Sequence, residues 1–446
     1  MGKYFGTDGI RGEANKTLTS DTAYKVGRFI GDYYLKNGKG KIVIGKDTRL
    51  SSSMFECLLA AGISASGSDV YLLDYCSTPS LAYVAMADKF DCGIMISASH
   101  NPYLDNGIKI FGNNGIKLNE SIENKIEEYI DNPCGIDFKI GSEIGQIYHY
   151  EKGKEEYKKW LNNLYSLDLS GYKLLVDLAN GSNCVMAKDV LAKTHADVTY
   201  INGDFNGINI NNNCGSTHLK MLQDKIKEAD YDLGFAFDGD ADRVLFVDKK
   251  GEVIDGDQIM YILSNYLKKH NKLTNNTLVT TVMSNMGLFK ALEKCDIKTS
   301  ITPVGDKNVL DCMLDNNYCI GGEQSGHIIY SSDANFGDGL KTALLLLTAL
   351  KEMNVDIKKA CEDLKIYPQL LVNQRVIDKH VVLEDETIKN EIDKINKELG
   401  DNGRILVRPS GTEPLIRVMV EAISDELCHD YVYRVIDLIK DKGYSA

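Results

Sequence analysis

The sequence predicts an α/β protein of three mixed-sheet units followed by a smaller α+β unit. Three observations carry that prediction. At 446 residues the chain exceeds what one core ordinarily organises, at roughly 150 residues per domain. Short β-rich runs alternate with helical stretches over most of its length, the pattern of a largely parallel sheet with helices on its faces. After Tyr367-Pro368 strands and helices are grouped differently, which marks a separate α+β layer.

In chain order, Lys41–Gly45 reads as a strand and Ser51–Ser66 as a helix with serines available for its N-cap. Asp69–Leu73 is a second strand and Ser80–Lys89 a second helix. The strand Cys92–Ser97 then delivers the chain to Ser99 at the carboxyl edge of the sheet, where ligands gather in such folds. The stretch from Asn119 to Leu169 is polar, Lys/Glu-rich and mostly helical, and reads as a connector. The first unit is therefore assigned to residues 1–150 and the second to 151–254. That second unit opens with the strand Tyr172–Asp177 and closes with a hairpin, Leu233–Phe237 and Val244–Asp248. A third unit, 255–367, holds the strand Thr277–Met283 and the apolar helix Gly339–Met353. The last unit, 368–446, has strands at Leu370–Ile377, Arg404–Arg408 and Leu415–Ala422, with helices at Asp385–Leu399 and Ser424–Lys442.

Composition narrows the function classes. Hydrophobic residues make up 43% and charged residues 26%, normal for a folded soluble protein. The longest strongly apolar stretch, Ala343 to Leu350, is far short of the ~20 residues that span a bilayer. The N-terminus lacks the apolar segment of a secretory signal, so a cytoplasmic location is expected. A net charge of −13 argues against a nucleic-acid or anionic-membrane partner. The eleven cysteines form no C-x-x-C pairs or Cys/His clusters, so neither a zinc site nor a disulfide framework is indicated. Arginine is scarce, nine against 42 lysines, yet Arg11, Arg49, Arg243, Arg408 and Arg417 fall in or beside Gly/Ser/Asp-rich turns. Guanidinium holds phosphate in a bidentate fork that lysine cannot reproduce.

Four segments carry chemistry. Ser99, in Ile96-Ser97-Ala98-Ser99-His100-Asn101-Pro102, offers a hydroxyl on a tight turn before a proline. A Ser-His hydrolase is disfavoured, because adjacent Ser and His side chains diverge. Just beyond, Asn106-Gly107 is read as a turn that returns Lys109 to the start of the next strand, where it can neutralise phosphate or move a proton. The loop Asp238-Gly239-Asp240-Ala241-Asp242-Arg243 sets three carboxylates at alternate positions, ligands for a hard cation such as Mg²⁺. An EF-hand is excluded, since Arg243 occupies the position that needs Gly and Lys249 the one that needs Glu. Gly321–His327 supplies Glu323, Ser325 and His327, which can hydrogen-bond sugar hydroxyl or amino groups. Arg408-Pro409-Ser410-Gly411-Thr412-Glu413-Pro414, with Arg417 shortly after, is an anion cradle of two guanidinium groups, two hydroxyls and glycine-freed N–H groups. The run Gly40–Lys46 has P-loop spacing, but Asp47 replaces the Ser/Thr, and no G-x-G-x-x-G follows any strand, so nucleotide dependence is not indicated.

Taken with Phe5-Gly6-Thr7-Asp8-Gly9-Ile10-Arg11-Gly12, these segments closely resemble the α-D-phosphohexomutase superfamily, in its order and nearly end to end. Gly322-Glu323-Gln324-Ser325-Gly326-His327 and Cys214-Gly215-Ser216-Thr217-His218 resemble its glucosamine branch more than its glucose/mannose relatives. Lys307, where the family often shows Arg, is a small departure. The resemblance implies four domains around a central cleft and reversible interconversion of glucosamine 6-phosphate and glucosamine 1-phosphate, on the route to UDP-N-acetylglucosamine. It implies that Ser99 is a phosphoserine, that Ser99, Asp238, Asp240 and Asp242 hold one Mg²⁺, and that glucosamine 1,6-bisphosphate is the intermediate. Arg11 and Lys109 would spread the developing charge. Lys109 or His100 would shuttle the hydroxyl proton, and the sequence leaves those two open. Arg243, Glu323, Ser325 and His327 would face the substrate. Arg408, Ser410, Gly411, Thr412 and Arg417 would grip its non-reacting phosphate. The same resemblance implies a homodimer.

Overall fold

The structure, a computed structural model, describes residues 2–6, 8–410 and 414–446. Four sheets follow one another along the chain. The first contains β1 (Phe5–Gly6), β2 (Gly9–Glu13), β3 (Lys41–Lys46), β4 (Asp69–Tyr75), β5 (Cys92–Ile96), β6 (Asp105–Gly112) and β7 (Ile147–His149) in the order β1-β2-β6-β5-β3-β4-β7. The β5-β3-β4-β7 half is parallel, whereas β6, β2 and β1 add antiparallel. Alternation along β3 explains why both faces are covered. Ile42 and Ile44 pack with Val26, Leu59 and Ile63 on one side, and Val43 joins Leu73, Leu81 and Met95 on the other. All five residues of β5 are buried, so the strand ends where its apolar run ends and the chain emerges at the carboxyl edge just before Ser99.

Two segments of this sheet differ from what the sequence predicts. Asn106-Gly107 is not a turn but lies inside β6, paired to Arg11 and Gly12 of β2. Glycine is required because a Cβ on Gly107 would sit 2.4 Å from the Ser97 carbonyl oxygen, and Asn106 is buried, donating to the Ser51 and Ser52 hydroxyls. Lys109 is therefore a mid-strand residue opposite Met95. The expected connector also contains β7 between the helices Glu120–Asp131 and Lys152–Leu164; its three residues are all exposed, which is why no apolar pattern announces it.

The second sheet, β8 (Lys173–Asp177), β9 (Asp197–Ile201), β10 (Leu233–Phe237), β11 (Val244–Asp248) and β12 (Val253–Ile254), has the order β12-β11-β10-β8-β9. The expected β10–β11 hairpin is present, with Phe237 opposite Val244 and every residue of both strands buried. The third sheet, β13 (Thr277–Thr281), β14 (Lys298–Thr302), β15 (Ile320–Gly322) and β16 (Ile328–Tyr330), has the order β14-β13-β15-β16. The helix Gly339–Met353 follows, its N-cap Asp338 accepting from the Lys341 N–H. No described helix is long and apolar enough to cross a membrane.

These three sheets belong to one compact unit, Met1–Val282 with Lys298–Cys361. The other unit is Met283–Ile297 with Glu362–Ala446. It is built on β17 (Gln369–Arg375), β18 (Arg404–Pro409) and β19 (Leu415–Glu421), ordered β17-β19-β18 and antiparallel throughout. The helices Glu386–Leu399 and Asp425–Asp441 supply its core through Ile388, Ile395, Val432, Val435 and Ile439. The helix Met286–Lys294 belongs here too. Its Met286 N–H donates to Glu421, the Asn285 side chain donates to the Tyr367 carbonyl, and Gly287 leaves no room for a Cβ against Lys365.

Candidate active site

Ser99 is 1% exposed and has φ +52°, the left-handed region that a non-glycine residue occupies only when its surroundings fix it there. The surroundings are specific. Its N–H donates to Ser97 Oγ at 2.9 Å, and its carbonyl accepts from both Arg49 Nη2 and Asn211 Nδ2 at 2.8 Å. Arg49 also donates to the carbonyls of Asn101, Pro102 and Asp105, while its Nε is paired with the buried Asp47. Its guanidinium is spent on holding the loop, so Arg49 is not one of the phosphate-holding arginines that the sequence suggested. Removing one partner from a buried pair such as Asp47–Arg49 costs about 3–5 kcal/mol. Neither Arg49 in that role nor Asn211 has a local signature, because both act on the loop across long sequence separations.

The Ser99 loop meets the aspartate loop directly. Ser99 Oγ donates to Asp238 Oδ2 at 2.7 Å, and the space for a Cβ on Gly239 is taken by the Ser99 carbonyl at 2.5 Å. Asp238, Asp240 and Asp242 are buried, and each offers an oxygen within 4.8 Å of the others. The loop is gripped from elsewhere in the unit, the Thr78 N–H donating to the Asp240 carbonyl and the Gly339 N–H to that of Ala241, and it closes on itself where the Asp238 carboxylate accepts from the Arg243 N–H. Lys109 Nζ lies 2.7 Å from Asp240, 2.9 Å from Asp8 and 3.7 Å from Asp242.

Electrostatics fit a cation. Burial, then the charges of Asp242 and Asp240, push the Asp238 carboxyl well above the carboxylate range. Burial opposes ionisation of Asp242 as well, but Lys109 and then His327 overcome it and hold that carboxyl well below its ordinary value. Asp240 Oδ1 and Asp242 Oδ1 are buried without a hydrogen-bond partner. Two such orphaned carboxylate oxygens beside a third acidic group are a donor set for a hard divalent ion, and the residues fit one.

The remaining expected residues divide clearly. His100 lies with Nδ1 3.4 Å from Ser99 Oγ, and burial followed by Arg243 and Arg11 lowers its pKa to about 4. Arg11 pairs with Asp8, and its Nε has no hydrogen-bond partner; the same holds for Nε of Arg243. Glu323 accepts from the Gly305 N–H at 3.1 Å, and the buried Ser325 hydroxyl is unpartnered. His327 is 6% exposed, with Nδ1 3.6 Å from Asp242; burial works against its charge, but Asp242 raises its pKa to about 9. In the second unit Arg408 and Arg417 stand directly opposite on β18 and β19, and burial followed by Arg417 disfavours the charge on Arg408. Ser410 is buried, and its carbonyl accepts from Lys379 at 2.7 Å. Facing guanidinium groups attract an anion between them. Gly411 and Thr412 lie outside the described residues.

Comparison with known proteins adds the following. The four domains of the phosphoglucomutase/phosphomannomutase family match in order: alpha/beta/alpha domain I at residues 2–133, domain II at 155–251, domain III at 255–367 and the C-terminal domain at 371–438. A phosphoglucosamine mutase of Lachnospira eligens is 52% identical over 450 residues, covering 100% of both chains. One from Bacillus subtilis is 46% identical and covers 99% of each chain. Among solved structures, a phosphoglucomutase/phosphomannomutase family protein of Burkholderia thailandensis superimposes with a TM-score of 0.80 at 23% identity, over 99% of this chain and 98% of that one. An Aspergillus fumigatus N-acetylphosphoglucosamine mutase, solved with GlcNAc-6P and magnesium, gives 0.73 at 18% identity over 99% and 96%.

Proposed function

Because the chain belongs to the phosphoglucomutase/phosphomannomutase family, we propose that it interconverts glucosamine 6-phosphate and glucosamine 1-phosphate through a phosphorylated Ser99. The observation that carries the proposal is the 2.7 Å contact between Ser99 Oγ and Asp238, which joins a hydroxyl to a three-carboxylate loop 139 residues away. Asp238, Asp240 and Asp242, with an oxygen of the Ser99 phosphate, would hold Mg²⁺. When bound, that ion neutralises charge on the phosphoryl oxygens.

In the first half-reaction the free C1 hydroxyl of glucosamine 6-phosphate forms a bond to the phosphorus on Ser99 as the Oγ–P bond breaks. The hydroxyl loses its proton, Ser99 Oγ gains one, and glucosamine 1,6-bisphosphate results. His100, beside Ser99 Oγ, carries the proton. Lys109, fixed between Asp8 and Asp240, stays a cation facing the transferred group together with Arg11 and Arg243. The intermediate then turns end for end, and its 6-phosphate returns to Ser99. Glu323 and Ser325 supply an acceptor and a hydroxyl for the sugar, and Arg408, Ser410 and Arg417 hold the phosphate that is not being transferred; Gly411 and Thr412 are proposed alongside them.

Turnover should be greatest on glucosamine 6-phosphate when it is compared with glucose and mannose 6-phosphates in the presence of a hexose 1,6-bisphosphate and Mg²⁺. Preference for glucose or mannose phosphate would assign the chain to another branch, and net release of inorganic phosphate would make it a phosphatase. Replacing Arg417 with alanine should raise KM for the phosphosugar about 10- to 100-fold, the worth of one charge-assisted phosphate contact, with a smaller effect on kcat. An unchanged KM would remove Arg417 from the substrate site.

A further inference from the structure

Three residues outside the expected site complete a ring of charges around it. Lys117 Nζ lies 2.5 Å from Asp8 Oδ1 and 2.6 Å from Asp306 Oδ2, and its side chain is only 16% exposed. Asp8 turns its other oxygen to Lys109 at 2.9 Å and pairs with Arg11. Asp306 lies 4.0 Å from His327, which faces Asp242, and Lys109 lies 3.7 Å from Asp242. The circuit Asp242–His327–Asp306–Lys117–Asp8–Lys109 therefore closes on itself and draws members from all three sheet regions of the first unit.

The local structure explains how the members are fixed. Lys117 returns beside β6 after a turn at Gly115, bridging to Phe111 on the strand that carries Lys109. Asp306 opens the helix Asp306–Asn316, where a carboxylate is favoured by the helix dipole. The preceding Gly305, at φ +127°, donates its N–H to Glu323. One turn thus touches the sugar-side carboxylate through its backbone and the phosphoryl side through Asp306 and Lys117.

We propose that Lys117 and Asp306 are positioning residues, which hold Asp8 so that Arg11 and Lys109 stay aimed at the phosphoryl-transfer centre and couple that centre to the Gly305–Glu323 contact. The proposal rests on the mutase function given above. Without Lys117, Asp8 loses the partner that fixes one of its two oxygens, and Lys109 and Arg11 lose a fixed acceptor. Misplacing catalytic groups by about 1 Å costs about 100-fold in rate. Lys117→Met should therefore lower kcat by about 100-fold while KM for glucosamine 6-phosphate stays within about threefold. Lys117→Arg, which keeps the positive charge between the two carboxylates, should restore most of kcat. Asp306→Asn should lower kcat in the same direction, and the Lys117→Met/Asp306→Asn double variant should be no slower than the slower single one, as expected for members of one chain.

Wild-type turnover measured in parallel separates the two ideas. An inactive wild type overturns the mutase proposal and this inference with it. An active wild type with Lys117→Met at normal kcat overturns the inference alone. So does a kcat loss that arginine does not rescue, or additive losses in the double variant. Should Lys117→Met fail to fold, the arginine variant and Asp306→Asn decide: normal kcat in Asp306→Asn overturns the inference, and a kcat loss there with activity retained in Lys117→Arg supports it.

Discussion

Replacing Ser99 with alanine is expected to abolish mutase turnover, by at least about 10⁴-fold, because under the proposed mechanism the variant would have no nucleophile to store the phosphoryl group between half-reactions. The fold should survive. Alanine keeps the Cβ that already sits at φ +52°, and the clamp on this residue acts on its backbone through Arg49, Asn211 and Ser97 rather than on the hydroxyl. The variant should therefore melt near the wild type and still bind phosphosugar by titration. Incubation with a hexose 1,6-bisphosphate should add the mass of one phosphoryl group to the wild type and none to Ser99→Ala. Wild-type rates in the variant would end the covalent mechanism.

Neutralising Asp238 should do two opposite things at once. A carboxyl pushed up by folding binds its proton more readily in the folded than in the unfolded chain. Its contribution to stability is complete below the unfolded pKa and is lost as pH rises toward the folded one. Without a cation, ionising this buried carboxyl beside Asp240 and Asp242 therefore costs the fold stability. In Asp238→Asn the amide oxygen can still accept from the Arg243 N–H while the amide nitrogen donates to Ser99 Oγ, so both existing contacts have a replacement. The melting temperature measured in a chelator should rise, the further rise on adding Mg²⁺ should shrink, and turnover should fall about 10²- to 10³-fold. A lower chelator melting point together with an unchanged Mg²⁺ response would show that this loop carries no cation.

The candidate site residues are legible in the sequence because each sits in a short segment with its own composition. Ser99 follows an apolar strand, the aspartates alternate in one hairpin loop, and Arg408 and Arg417 flank a Pro/Ser/Gly turn. Short, nearly continuous apolar runs likewise disclose the strands β3, β5, β10 and β11, which are buried along nearly their whole length. What stayed hidden depends on distant partners. Asn106-Gly107 resembles a turn until the close approach of Ser97 is seen. The strand β7 is fully exposed, and its pairing with β4 comes from backbone alone. Arg49 looked like a phosphate ligand because composition cannot reveal that four backbone carbonyls consume its donors. Asp8, Asn211, Lys117 and Asp306 make their contacts only when segments up to about three hundred residues apart come together, and no local pattern encodes that.

The helix Met286–Lys294 leaves the ribosome well before the strands it packs with, since its unit resumes only at Glu362 and runs to the chain end. During synthesis Met286, Asn285 and Gly287 emerge before Glu421, Tyr367 and Lys365, the residues they meet in the fold. A separately produced tail beginning at residue 362 would keep its own apolar core, which lies between Leu370 and Tyr444, but would leave Glu421 and the Tyr367 carbonyl without the Met286 and Asn285 donors.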